Sequence, residues 1–371
     1  MYLNPRRAPY AAADRSRIGM SHAAEARDYL GACPAHQATS LIALPTLAAE
    51  LGVAEVHIKA EWSRMGLGSF KALGGGYAVA RLIRARAEAA LGRAVEPRDL
   101  SDPAVRALAG NQTMACASAG NHGLSVAAAA RAFGARAIVY LAETVPEPFA
   151  RRLRAKAAEV RREGAIYEDS MARATSEAGV QGWDLISDSS WPGYSQTPLN
   201  VMRGYTVLLA EAAETLEQAG GPASHVFVQA GVGGLAAAAA AYLRDRWGEA
   251  FKFIVVEPEG APCLLESVRQ GRFAHIEGAP TTLGRLDCKE PSLIAFELLS
   301  NLADAFVLIS DAQADQAAER LAAMGAPVSS CGAAGAAGLL AIARDPDARA
   351  RLGLTEESRV LLIGTEAANP A

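Results

Sequence analysis

Three glycine-rich turns constrain this 371-residue chain more than any other feature: residues 66–76 (GLGSFKALGGG), 118–123 (SAGNHG) and 231–236 (GVGGLA). Each lies between a β-rich run and a helical pattern rich in alanine. The third sits directly between HVFVQA and AAAAAYLRD. Further short runs at Glu55–Ala60, 114–117, 137–141, His225–Gln229, 253–256 and 360–363 read as buried strands. Helical patterns occupy 69–90, 124–133, 147–163, 201–218, 235–246, 313–324 and 333–343. Alternation of this kind predicts an α/β fold of mostly parallel sheets flanked by helices. Such sheets bind ligands beyond the carboxyl ends of their strands. Polar segments interrupt the pattern near 95–111 and 188–198, and 171–198 reads as mixed loop and helix.

The length suggests two lobes, since single cores stop growing at roughly 250–300 residues. The expected division is 1–80 plus 201–371 for a larger, cofactor-binding lobe and 81–200 for a smaller one. With 36 basic and 40 acidic side chains the net charge is −4, and no long basic run marks a nucleic-acid partner. No apolar stretch reaches the roughly 18 residues of a membrane span, and charges fall where a signal peptide needs its apolar core. The five cysteines are scattered and form no CxxC pair. A reduced, cytoplasmic protein without a metal site is the expectation.

Each turn admits two readings. Lys71, between glycines and next to Phe70, is either a solvated charge or an amine in a ligand cleft, where it would act as Schiff-base nucleophile and proton shuttle. Asn121 is either a helix cap or a neutral contact for a ring substituent, and His122 is a structural histidine or part of the same turn. The amides of the 118–123 turn suit a carboxylate. The turn Gly231, Val232, Gly233, Gly234, Leu235 suits a phosphate at a helix N-terminus. It also fits G-x-G-x-x-A with Glu257 at the end of a following strand, the pattern of a nicotinamide-dinucleotide site. A dinucleotide enzyme, however, has no use for the lysine loop. A cofactor with one phosphate and one aldehyde uses all three turns, and pyridoxal 5'-phosphate is that cofactor.

At these residues the chain resembles the fold-type II pyridoxal-phosphate enzymes, the tryptophan-synthase β-like group, from about residue 43 to 365. The segments are FKALGGGYAV (70–79), GNHG (120–123), DSSWPGY (188–194), QAGVGGLA (229–236), IVVEP (254–258) and GTE (364–366). Within the group the resemblance is narrowest to the diaminopropionate ammonia-lyases. It implies two lobes, a homodimer and a small amino-acid substrate. It makes Lys71 the Schiff-base lysine, Asn121 the ring-hydroxyl contact and 231–235 the phosphate cup. Ser118, Ala119, Gly120, Asn121 and His122 would hold the substrate. Asp188 matches an acid near the substrate's distal amine, and Thr365 falls beside the hydroxyl position that faces the ring nitrogen, with Gly364 where a serine is common. The implied activity is β-elimination of ammonia through aminoacrylate to pyruvate. A serine/threonine- or hydroxyaspartate-type dehydratase, a β-replacement synthase and a non-catalytic homologue are the alternatives. Two departures bear on substrate. Ala119 stands where the lyases carry an aspartate, and Ser329-Ser330-Cys331-Gly332 lacks the glutamate they have next to the serine.

The cofactor assignment is directly testable. The purified protein is expected to be yellow, borohydride to fix the pyridoxyl group on Lys71, and Lys71→Ala to lose the absorbance band. A colourless protein that responds only to a nicotinamide cofactor would return the 231–236 turn to the dinucleotide reading.

Overall fold

The computed structural model describes residues 1–118 and 120–368. Within them the strands are β1 (Tyr2–Leu3), β2 (Leu41–Ala43), β3 (Glu55–Ala60), β4 (Thr113–Ala117), β5 (Arg136–Leu141), β6 (Glu159–Arg162), β7 (Asp184–Leu185), β8 (His225–Gln229), β9 (Lys252–Pro258), β10 (Ala305–Ile309) and β11 (Arg359–Gly364). One sheet has the order β1-β10-β9-β8-β11-β3-β2 and the other β6-β5-β4-β7. Every pairing is parallel except at the two edges of the larger sheet, where β1 and β2 run antiparallel to β10 and β3. The α/β architecture read from the sequence is the one observed. The central strands are apolar runs such as VFV, FIVV and VLLI, buried throughout, as strands covered on both faces must be. Strands β4 to β7 come from residues 113–185, whereas the larger sheet draws on both ends of the chain. The helix Lys71–Leu91 runs unbroken through position 80.

The structure departs from the sequence expectation in several places. The pattern at 147–163 is a helix only over Glu147–Ala155, and β6 follows it. The break is at Ala157, whose φ of 63° puts a non-glycine residue in the left-handed region. Nothing in its composition announces that. The segment 95–111 is not irregular: a 3₁₀ turn, Pro97–Ser101, and a helix, Pro103–Ala109, each begin on a proline. The mixed segment 171–198 resolves into the helix Tyr167–Gln181, β7 and a loop. The expected strands also omitted the short edge strands β1 and β2, and β10, an apolar AFVLI run that pairs with β9.

The helix that begins at Lys71 is hemmed in on three sides, and its glycine triplet is the reason it can be. A Cβ on Gly74 would strike the Tyr205 ring, and one on Gly75 the Ser125 side chain. A Cβ on Gly76 would lie 3.2 Å from Leu30. The fit is reciprocal, since a Cβ on Gly204 would come within 2.6 Å of the Leu73 carbonyl oxygen. Three helices, Met20–Gly31, Asn121–Phe133 and Gln196–Gln218, therefore close directly onto the backbone that carries the lysine.

The approach to Lys71 is fixed by a buried ionic quartet. Arg64, fully buried, donates from Nε to Glu61 Oε2 at 2.9 Å and from Nη2 to Glu61 Oε1 at 2.6 Å. It also donates to both carboxylate oxygens of Glu211, at 3.0 and 2.7 Å. Lys59 Nζ donates to Glu211 Oε2 and to the Thr39 carbonyl, each at 2.5 Å. Two cations and two anions balance, so the network is neutral where water is excluded. Removing one member leaves uncompensated charge in the interior. Arg64→Ala is expected to destabilise the fold by about 3–5 kcal/mol, read from urea unfolding.

Candidate active site

The topology brings the predicted site residues together from both sheets. Neighbouring strands β3, β11 and β8 end in the segment leading to Lys71, in Thr365–Glu366 and in the 231–234 turn. In the other sheet, β4 runs into Ser118 and the helix that starts at Asn121, and its neighbour β7 runs into Asp188. Side-chain contacts at the site bridge the sheets. Lys71 Nζ donates to Asp188 Oδ2, and Asn121 Nδ2 donates to Glu366 Oε2 at 2.5 Å.

The Lys71–Asp188 pair faces a cleft, with the two side chains 22% and 19% exposed. Burial alone would depress the lysine, but its polar neighbours, Asp188 foremost, together more than offset it and hold the ammonium above its ordinary value. For Asp188 burial pushes upward, and the Lys71 and His122 neighbours more than offset it, so the carboxyl sits well below the usual range. Beneath the pair lie Phe70 and Tyr205, with Nζ 5.2 and 5.7 Å from their ring centroids. The Tyr205 hydroxyl is buried and makes no hydrogen bond among the described residues. Cys116 and Cys288 border Asp188 as well. Burial, then that carboxylate, pushes both thiols up to about 12, so neither is a thiolate nucleophile at neutral pH.

The 231–234 turn is shaped by its glycines. Gly233 has φ 94°, and a Cβ there would lie 2.8 Å from Leu264 Cδ1. Among the described residues the Gly231 and Gly233 amides donate to no protein acceptor. The turn opens the helix Gly234–Trp247, whose first amides are free by construction and carry the positive end of the dipole. Leu235 is buried in that first turn. Ser292 ties the turn to the Asp188 loop: its amide donates to the Val232 carbonyl at 2.8 Å, and its Oγ accepts from the Ser190 amide at 3.0 Å.

Thr365 is buried, and its Oγ1 accepts from Gln229 Nε2 at 3.1 Å. A hydroxyl that accepts there keeps its own proton to donate elsewhere. At the preceding position a side chain is impossible, because a Cβ on Gly364 would meet the Trp62 ring at 2.6 Å. His122 Nε2 lies 3.0 Å from the Ile186 carbonyl, which can only accept, so Nε2 carries the proton. Burial, aided by Lys71 and opposed by Asp188, depresses its pKa and keeps the ring neutral. Ser118 Oγ accepts from the Gly120 amide at 3.2 Å. Ala119 lies outside the described residues. Among those described, no group of three or more His, Cys, Asp or Glu is arranged to hold a metal ion.

Sequence reasoning did not single out Glu366, Tyr205, Ser190 or Ser292. Glu366 accepts from Asn121 and, at 2.6 Å, from Ser329 Oγ, and so ties β11 to the Asn121 helix. Glu257 also differs from the dinucleotide reading. It is fully buried and accepts from the Leu264 and Leu265 amides at 2.8 and 2.9 Å, capping the helix Cys263–Gln270 rather than facing a ribose. The residues present fit pyridoxal phosphate: a glycine cradle with free amides, an amine beside it, the unpartnered Tyr205 hydroxyl and a hydroxyl with a proton to give. Gly233→Ala forces a left-handed alanine against Leu264. It is expected to weaken phosphate anchoring about tenfold or more, measured as the cofactor retained on dialysis.

Comparison with known proteins agrees with this geometry. The family described as pyridoxal-phosphate dependent enzyme matches residues 33–366. Diaminopropionate ammonia-lyase of Escherichia coli (strain K12) is 31% identical over 94% of this chain and 89% of its own. A probable D-serine dehydratase of Acidovorax sp. is 28% identical over 91% of this chain and 82% of its own. The crystal structure of the Escherichia coli diaminopropionate ammonia lyase in complex with an aminoacrylate–PLP azomethine reaction intermediate superposes with a TM-score of 0.87. That pair is 29% identical, over 98% of this chain and 92% of the other. With nine-tenths of its length matched and its three turns converging at the ends of parallel strands, the chain belongs to the pyridoxal-phosphate-dependent enzyme family, in its fold-type II branch.

Proposed function

We propose that the protein is a β-eliminating ammonia-lyase acting on a small amino acid with a β-amine, diaminopropionate-like, and yielding pyruvate and ammonia. The observation that carries this reading is the Lys71–Asp188 pair, an amine and a carboxylate in contact from opposite sheets and open to the same cleft. Pyridoxal phosphate, when bound, supplies the electron sink for charge developing at the substrate α-carbon. In this reading residues 231–235 would hold its phosphate, Asn121 its ring hydroxyl, Lys71 its aldehyde and the Thr365 hydroxyl its ring nitrogen. The Ser118–His122 turn fixes the substrate carboxylate. Lys71, with its amine free, would take the α-proton.

Asp188 then changes character. Its low pKa depends chiefly on the positive charge of Lys71. When that amine is neutral, burial dominates and raises the carboxyl toward a range from which it donates to a leaving amine. The same reading makes the protein a cytoplasmic homodimer, in keeping with five free thiols. Among the described residues no helix is long and apolar enough to cross a membrane.

The discriminating experiment assays keto acid from both enantiomers of diaminopropionate and from serine, threonine and 3-hydroxyaspartate. With alanine at position 119, Lys71 is the sole base and reaches one face, so turnover of one enantiomer, the L form, is expected. Similar rates for both enantiomers would refute the one-base account, and preference for a hydroxy amino acid would make the enzyme a dehydratase. Asp188→Asn is expected to lower kcat for diaminopropionate by about 10²–10⁴-fold with the cofactor absorbance intact.

A further inference from the structure

We infer that Arg285 binds a carboxylate group of the substrate, a step that rests on the amino-acid chemistry proposed above but assigns it a residue no motif identified. Arg285 lies on the loop after the helix Cys263–Gln270 and reaches over the 118–123 turn. A Cβ built on Gly120 would lie 3.5 Å from its Nε and 3.7 Å from its Cζ. Its guanidinium sits 5.7 Å from the centroid of Phe149, so a flat ring supports it on one side. The nearest carboxylate oxygen is Glu366 Oε2, 3.7 Å from Nε and beyond hydrogen-bonding distance. Both Glu366 oxygens are already taken, at 2.5 Å by Asn121 and at 2.6 Å by Ser329. Among the described residues the guanidinium therefore makes no hydrogen bond, although the side chain is only 34% exposed.

A planar fork of donors with no protein acceptor, held over the turn whose amides suit a carboxylate, has the geometry that bidentate carboxylate binding requires. A second cation reinforces it. Arg152 lies one helical turn beyond Phe149 on the helix Glu147–Ala155, which Arg285 approaches through the Phe149 ring, and its pKa is depressed first by burial and then by the charge of Arg285. Among the described residues Glu366 is the one carboxylate within 4 Å of Arg285, so this corner of the cleft carries an excess positive charge that an incoming carboxylate neutralises. That carboxylate is either the α-carboxylate common to all amino acids or a second one on an acidic substrate.

Arg285→Met and Arg285→Lys in the holoenzyme distinguish the two sources. Calorimetric titration with propanoate and succinate gives a readout independent of turnover. Kinetics with diaminopropionate, serine and 3-hydroxyaspartate gives the KM–kcat split. If Arg285 holds the α-carboxylate, Arg285→Met weakens both probes and raises KM for every substrate by about 10- to 100-fold with kcat largely kept. If it holds a second carboxylate, only succinate and 3-hydroxyaspartate are affected. In either case Arg285→Lys recovers part of the loss, since it keeps the charge without the fork. Unchanged affinities and KM, or a fall in kcat alone, overturn the assignment. Failure of the wild-type enzyme to turn over any amino acid would sink the lyase reading instead, and the propanoate and succinate titrations would still decide Arg285.

Discussion

A fully buried arginine governs where this protein can place its reactive amine. Arg64 and Lys59 meet Glu61 and Glu211 in an interior that excludes water, and four charges can stay there only as a balanced set. Glu211 belongs to the helix Gln196–Gln218, while the other three flank the end of β3. The network therefore clamps the exit of β3 to a long helix of the core. The chain must then turn sharply to reach Lys71, and Met65 takes a left-handed φ of 51° to do so. Such a conformation persists only where its surroundings enforce it.

From that anchor the rest of the site follows by topology. Parallel strands deliver their carboxyl ends to one side, so β3, β11 and β8 present lysine, threonine and glycine turn together. The second sheet presents its own carboxyl ends to the same cleft. Contacts that join the two at the site are polar, through Asp188, Glu366 and Ser292, which suits surfaces that a charged ligand must enter.

Most of this frame was legible in the residues because it rests on local signals. Glycine turns after apolar runs mark strand ends, and a lysine between glycines marks a close approach. What escaped was set by tertiary contact. The helix expected through 163 stops because Ala157 turns left-handed, and the edge strand β6, with its EVRR sequence, has the polarity of a helix surface. The Arg64 quartet joins residues 147 positions apart in sequence, and nothing near Arg64 distinguishes it from a surface charge. Glu366 and Arg285 likewise acquire meaning only across the cleft. Gly364 is the instructive intermediate case: its departure from serine was visible, but the cause, the Trp62 ring, was not.

The glycine triplet on the Lys71 helix has a consequence for how such an enzyme can diverge. Because three neighbouring helices meet bare backbone there, the position of the amine is set by main-chain contact. The outward-facing positions of those neighbours can drift without moving it. Only the few residues that actually touch the glycines, such as Tyr205 and Ser125, are held to size. Sequence change is thereby channelled away from the lysine and into the loops around it, where Arg285 lies. A scaffold arranged in this way can acquire a new substrate while keeping its chemistry.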